Sequence, residues 1–593
     1  GVTTYVISID WASDTIDMET DLAALTVNSI ETTAFDTDVS ITQSAGNVVV
    51  TSVDTGGGDF ALTASSGSIA VDTISTAATA DVTLSSSAGI TSADTDDDTV
   101  DITTGDFIVT AATGVGASGS ALDIDATTSN ITASGNVYFD VVGADGHATT
   151  IDVSAGDIVI DGRNTANDGG YEAITLTSVD TDNGAVTVNN YDYDLTATSI
   201  ASSGNNNIQL TTTSSGDILL GSVVADGTGD VTILAAAGSI NETGAGDAGV
   251  DISGDVLTLT AQDEIGGADE LDIEISVTSL DASSTSAGDI VITESDGITL
   301  TDVDTADGAI TINTGGATVV TDVAASGGGD EDDVTIIAST GSITLGTVSA
   351  AGEGDVTIQA VDGSINDAAA DSLVDIAADF LTLTATGEIG GTLALETTVA
   401  SLDASSTTAG NIVITETDGI TLSDVDTVNG SITINAGGAT VVTDVAASGG
   451  GDEDDVTIVA SAGDITIGAV STAGSGDVGI QATAGSINET STGDSAVDIS
   501  GDALTLVALD EIGGADELDI ETTIKSLNAL SSTGDIVITE SDSLDVGNVQ
   551  ATVGNVVLEA TTGSISQTAG TITAGGSLSM TSNGTLSMSD YTV

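Results

Sequence analysis

Apolar residues recur at every second position along the chain. Asp289-Ile-Val-Ile-Thr and Gly308-Ala-Ile-Thr-Ile are examples. Period two marks a strand with one buried face. Alternation dominates over the helical spacing i, i+3, i+4, i+7 along the chain, so no amphipathic helix is expected. Each short run ends at Gly, Asp, Asn or Ser, residues that tolerate turns. The pattern predicts an all-β protein of many short strands.

The strands belong to internal repeats. The 22 residues Gly315–Ile336 recur unchanged at Gly437–Ile458, an offset of 122. The 12 residues Asp263–Glu274 recur at Asp510–Glu521, an offset of 247. A super-repeat is therefore expected over residues 215–338, 339–460 and, partially, 461–593. Residues 1–214 read as diverged coils of the same kind. Inside the super-repeat the anchors Val231, Leu257, Ile273, Ile290, Ile310, Val334 and Val356 predict coils of about 20 residues, about 29 in all.

Two architectures place strands at this spacing. A string of β-sandwiches needs tight hairpins and aromatic cores. Only Phe380 and Tyr591 are aromatic after residue 200. A β-solenoid instead stacks like on like in aliphatic ladders, which suits Val, Ile, Leu, Ala and Thr. The absence of proline fits, because a strand paired on both sides cannot lose an N–H. The expected fold is an all-β, right-handed parallel β-helix forming an elongated rod.

A coil signature, G-[DN]-x-x-[IL]-x-A-x-x-G-S-I, occurs at Gly58–Ile69, Gly229–Ile240, Gly354–Ile365, Gly476–Ile487 and Gly554–Ile565. It resembles the coil repeats of filamentous-haemagglutinin-like large exoproteins of bacteria. That resemblance implies a secreted right-handed parallel β-helix acting as an adhesin or surface fibre. The chain departs from that family in lacking an Asn-Pro-rich secretion domain, having no proline at all. The signature specifies an architecture better than an activity.

Composition changes the picture through charge. The 593 residues carry 93 Asp+Glu against 2 Lys+Arg, a formal charge of −91. Two cations cannot neutralise a phosphate backbone, which excludes nucleic acid. With no cysteine, thiol catalysis, disulfides and thiolate metal sites are excluded. No apolar run is long enough for a membrane-spanning helix. Disorder is not expected, since 40% of residues are hydrophobic and mean hydropathy is positive. Gly1 in place of Met suggests processing or excision.

A rod of about 29 coils would be about 140 Å long. Its charges would then lie about 1.5 Å apart, near the line density of duplex DNA. Stacked acids repel by almost 1 kcal/mol per pair even in water, as roughly estimated at 5 Å. The fold is therefore expected to need salt or divalent cations, with calcium the candidate cofactor. The candidate metal ligands are Asp330, Glu331, Asp332 and Asp333, and their copies Asp452, Glu453, Asp454 and Asp455. Asp302, Asp304, Asp307, Asp180 and Asp182 form further acidic turns, as do Asp94, Asp96, Asp97 and Asp98. Hard oxygen ligands in such turns suit calcium. The bland alternative is a set of solvated turns that keep a sheet protein soluble.

Catalysis is not expected. Arg163 and Lys525 lie 362 residues apart and cannot share a lyase site. His147 is the only histidine and reads as a structural surface residue. Carboxylate pairs are so abundant that they point nowhere. Trp11, Tyr138, Phe139, Tyr171, Tyr191 and Tyr193 gather in the first third, where a ligand site would lie if one exists. Sequons at Asn130, Asn241, Asn429, Asn488 and Asn583 allow glycosylation, but arise readily by chance in a Thr-rich chain.

The functional expectation is a secreted or cell-surface structural rod: an adhesin, or a subunit of a filament, sheath or lattice. The first and last residues read as strands with no evident cap, so self-association end to end or side by side is expected. Cell-surface polysaccharide, or a host or neighbouring cell, is the other expected partner. The alternative is a polysaccharide-binding or polysaccharide-cleaving β-helix.

Overall fold

The computed structural model describes residues 3–5, 15–32, 36–93, 99–143, 146–162, 173–244, 249–267, 272–490, 496–514, 519–589 and 591–592. Among these, every regular element is a β-strand, and no helix is long and apolar enough to cross a membrane. The chain divides into two compact units, residues 1–295 and 296–593. Each is a parallel β-solenoid, the right-handed β-helix expected from the pattern, and the chain makes about 24 turns.

Aliphatic ladders build both cores. In the first unit one ladder runs Val186, Ile208, Val231, Leu257, Leu280. In the second, Ile310, Val334, Val356, Leu381 and Leu402 stack in register. All ten side chains are fully buried, and burying each contributes roughly 1.5–3 kcal/mol. The phenylalanines of the first unit join this core. Phe60 and Phe107 sit on one ladder with Val82 between them, and both are fully buried.

The ladders correct the expected coil length. Leu257 stacks on Leu280, 23 residues on, not on Ile273. Ile273 lies on the other side of the coil and pairs with Ile292. Anchors chosen by alternation alone had crossed from one side to the other. That shortens the apparent step and inflates the number of coils from about 24 to about 29.

The two copies of the 22-residue segment do not lie on the same side. From Val334 the ladder climbs through Val356, Leu381, Leu402 and Leu422 to Val442, five turns on. Val456, its counterpart in the second copy, stands instead on the ladder of Thr318, Ile343 and Ile365, continued through Ile389, Ile412 and Ile432. The super-repeat thus advances five turns and about half of another. Identical sequence is presented on opposite flanks of the second unit.

The coil signature has a physical account. Its Asp or Asn closes a turn, and the side-chain oxygen accepts a backbone N–H from the next coil. Asp59 N donates to Asp38 Oδ1 at 3.0 Å, and Asp81 N to Asp59 Oδ1 at 2.9 Å. Asp355 N donates to Asp333 Oδ1 at 2.9 Å, and Phe380 N to Asp355 Oδ1 at 3.0 Å. The glycine before Ser-Ile is required by close approach. A Cβ on Gly363 would lie 2.0 Å from the carbonyl oxygen of Gly341 in the preceding coil. Many acids are therefore clips between coils rather than free surface charge.

Candidate metal centre

Period two decides which side chains point inward, and it turns some acids into the core. In Ile240-Asn-Glu242, Ile365-Asn-Asp367 and Ile487-Asn-Glu489 the acid shares the face of the buried isoleucine. The Val-Asp-Ile tripeptides bury Asp251, Asp375 and Asp498 next to Ile252, Ile376 and Ile499. Glu274, Glu396 and Glu521 arrive from the following coil.

Stacking brings these residues together in three equivalent clusters: Glu242–Asp251–Glu274, Asp367–Asp375–Glu396 and Glu489–Asp498–Glu521. In each, one oxygen per carboxylate lies within 4.8 Å of the others. In every cluster the central aspartate accepts the backbone N–H of the third residue. The distances are 3.1 Å for Glu274, 2.8 Å for Glu396 and 2.9 Å for Glu521. The aspartate N–H returns to the carbonyl of the same residue at 2.8, 2.8 and 2.9 Å. The first cluster lies in one unit and the other two in the second.

A fourth, diverged version uses Val100-Asp-Ile. Asp101 is buried and accepts Asp123 N at 3.0 Å. The first acid is replaced by Ser92, whose hydroxyl donates to Asp101 at 3.1 Å.

Close carboxylates without bases resist ionisation. Burial pushes Asp251 up to about 8, with the charges of Glu274 and Glu242 adding to it. Burial likewise pushes Asp375 up to about 7, helped by Asp367 and Glu396. Glu396 is raised too, chiefly by burial, although its hydrogen bond from Asp375 opposes the shift. Lys525 is bound to Asp502, and Arg163 lies outside the described residues. Three convergent carboxylates with no imidazole or thiolate suit a hard cation. These buried groups are thus able to hold a metal. The acids are also close enough to share protons.

Other inward acids are satisfied by hydrogen bonds. Glu416 accepts from Thr397 Oγ1 at 2.8 Å and Val399 N at 3.1 Å, and Glu540 does the same with Thr522 and Ile524. Burial raises both despite these bonds.

The acids singled out by sequence are placed differently. Asp330, Glu331, Asp452 and Glu453 are exposed at turns. Asp332 and Asp454 are buried structural acceptors: Gly308 N donates to Asp332 at 2.7 Å, and Gly430 N to Asp454 at 2.8 Å. Asp333 and Asp455 are half-buried clips to Asp355 N and Asp477 N. Asp307 and Asp332 come together over Gly327, where a Cβ would meet both carboxylates at 2.6 Å. In the other copy Asn429 takes the place of Asp307.

Asp302 is exposed and Asp304 half-buried, and the charge of Asp302 helps raise Asp322, which burial raises first. Asp180 and Asp182 are exposed, with Asp180 stacked on Asp152 and raised by burial and then by both neighbours. Asp94 and Asp96–Asp98 lie outside the described residues, as do Trp11 and Tyr171. Tyr191 and Tyr193 are exposed.

His147 is not a surface residue. It is 2% exposed, with Nδ1 donating to the Ala126 carbonyl at 2.7 Å and its ring 6.1 Å from that of Phe139. The missed acid clusters had a partial signal, the inward parity of Glu242, Asp367 and Glu489, whereas Asp251, one residue before inward Ile252, and its repeats carried none. Loop length hid which of them meet.

Compared with known protein families, curated proteins and solved structures, the chain matches none. The β-helical repeat architecture therefore rests on the ladders themselves.

Proposed function

We propose that this chain is an extracellular structural β-solenoid, similar in architecture to filamentous-haemagglutinin-like surface exoproteins, and that calcium holds its coils together. The observation that carries this reading is the buried carboxylate triad, repeated three times. Such a site needs protons or a cation, and raising the pH removes the protons. Calcium accepts irregular shells of six to eight oxygens, and extracellular modules bind it at about 10⁻⁴–10⁻³ M. That range suits a surface protein bathed in millimolar calcium. The triads would supply the carboxylate ligands.

Adhesion or surface assembly would follow from the solenoid's repeated faces. Its partners in this reading are further copies of the chain and the surfaces of neighbouring cells. The coil signature, here shown to be turn clips and close-packed glycines, supports the exoprotein likeness at the level of architecture. No catalytic role is assigned to the triads, whose third acid, Glu274, Glu396 or Glu521, is half-buried at an outward strand position.

Calorimetric titration with calcium at pH 8 and low ionic strength tests the proposal. About three saturable sites per chain are expected, above a background of non-saturating condensation. The variant D251N/D375N/D498N should lose them. Diffuse binding alone, unchanged in that variant, would rule the proposal out.

A further inference from the structure

The acids are not spread evenly over the second unit. One outward strip is uncharged. It runs in register through Asn435, Val459, Gln481, Val507, Leu530 and Gln550. Beside it, Thr433, Thr457, Gly479, Thr505 and Asn528 form a parallel uncharged row. The strip opens into a groove of about 410 Å³ lined by Thr505, Val507, Asn528, Leu530, Asn548 and Gln550.

The other copy of the super-repeat gives this groove its meaning. There the positions of Asn528, Leu530, Asn548 and Gln550 are held by Asp403, Ser405, Asp424 and Asp426. The local pairing is equivalent: Ser405 opposes Asp426 as Leu530 opposes Gln550, each next to a register shift. Burial and then the charge of Asp424 raise Asp403; burial also raises Asp426, opposed by the Ser405 hydroxyl and helped by Asp424 and Asp403. Three carboxylates have become three amides, and a serine has become leucine.

We propose that this groove binds a neutral polysaccharide chain. Asn528 Oδ1 accepts Asn548 N at 2.9 Å, and Asn548 Oδ1 accepts Thr571 N at 3.1 Å. Those bonds fix each amide by its oxygen and leave its NH₂ as the donor for sugar oxygens. Val507 and Leu530, both outward and the latter 37% exposed, supply the apolar contact for C–H faces. Successive coils offer these groups about every 4.8 Å, a spacing comparable to one pyranose unit. An anionic glycan would meet the field of −91 charges and be repelled. A neutral one would not. The inference is independent of the calcium reading, because none of the groove residues belongs to a triad.

Affinity electrophoresis of the full chain in 1 mM calcium tests it, with dextran, laminarin, galactomannan and hydroxyethylcellulose as neutral probes and alginate as the anionic control. Retardation by at least one neutral glycan and none by alginate is expected. N528D/N548D/Q550D should weaken that binding at least tenfold with an unchanged thermal melt, since the fold already carries acids there in the other copy. L530S alone should weaken it severalfold. The reverse exchange D403N/S405L/D424N/D426Q should add a second site. No retardation by any of the four glycans, or full binding by the triple variant, overturns the proposal. It is equally overturned if sedimentation shows the groove mediating self-association that the triple variant abolishes, with no glycan bound.

Discussion

Glu396 donates its backbone N–H to the Asp375 carboxylate at 2.8 Å, and Asp375 returns its own N–H to the Glu396 carbonyl at 2.8 Å. The two residues belong to successive coils, so a ladder bond and a close pair of acids, Asp375 buried and Glu396 half-buried, are one feature. Asp375 also shares a side-chain hydrogen bond with Glu396 that holds its proton in place. Asp367 completes the cluster.

This pairing sets a pH dependence. The folded pKa of Asp375 is about 7, above its ordinary 3.8, and that of Asp251 is about 8. A raised acid stabilises fully below its unfolded value and loses that contribution as pH rises through the folded one. In EDTA at low salt, thermal stability should therefore fall between about pH 4 and pH 8. Millimolar calcium should restore it at pH 8 and do little at pH 5, where protons occupy the clusters. Melts across this range check the sign. A melting temperature that rises with pH in EDTA would contradict the arrangement.

His147 acts in the opposite direction. Burial lowers its pKa, only partly offset by the Ala126 carbonyl. The unfolded chain takes up a proton below about 6.5 that the folded chain resists. Its contribution is present above that pH and lost as pH falls. NMR titration should find a midpoint below 6.5, with the neutral imidazole carrying its proton on Nδ1. A midpoint at or above 6.5 would show that the ring is solvated.

Asp355 separates clip from charge. Its Oδ1 accepts Phe380 N at 3.0 Å, while burial and neighbouring acids raise its pKa. Asp355→Asn keeps an acceptor and removes a charge, so stability should hold or increase. Asp355→Ala loses the acceptor and should cost about 1–3 kcal/mol. Urea unfolding of the two variants decides the matter. Equal destabilisation would mean that the charge, not the clip, is what the fold uses.

Gly363 tests the signature. Any Cβ there would collide with the Gly341 carbonyl, and both coils are fixed by ladders on either side. Gly363→Ala should destabilise by about 1–3 kcal/mol. A neutral result would mean that the coils can part locally. Removing core volume at Ile358, fully buried between Ile336 and Leu383, should cost about 2–5 kcal/mol as Ile358→Ala.

The sequence determined a good deal by itself. Alternation gave strands, repetition gave coils, and the absence of proline and of aromatics favoured stacking over hairpins. These are local properties, carried by φ/ψ preference and side-chain direction, so a single chain displays them. Parity even marks Glu242 and Glu416 as inward acids. Only the tertiary structure decided which acids meet. Asp367 and Glu396 are separated by a loop and a full turn, and their contact depends on where each coil closes. It also decided that Asp332 is a hydrogen-bond acceptor rather than part of a triad, and that identical segments face opposite flanks. Both follow from register, which sums every loop length along the chain and is written at no single position.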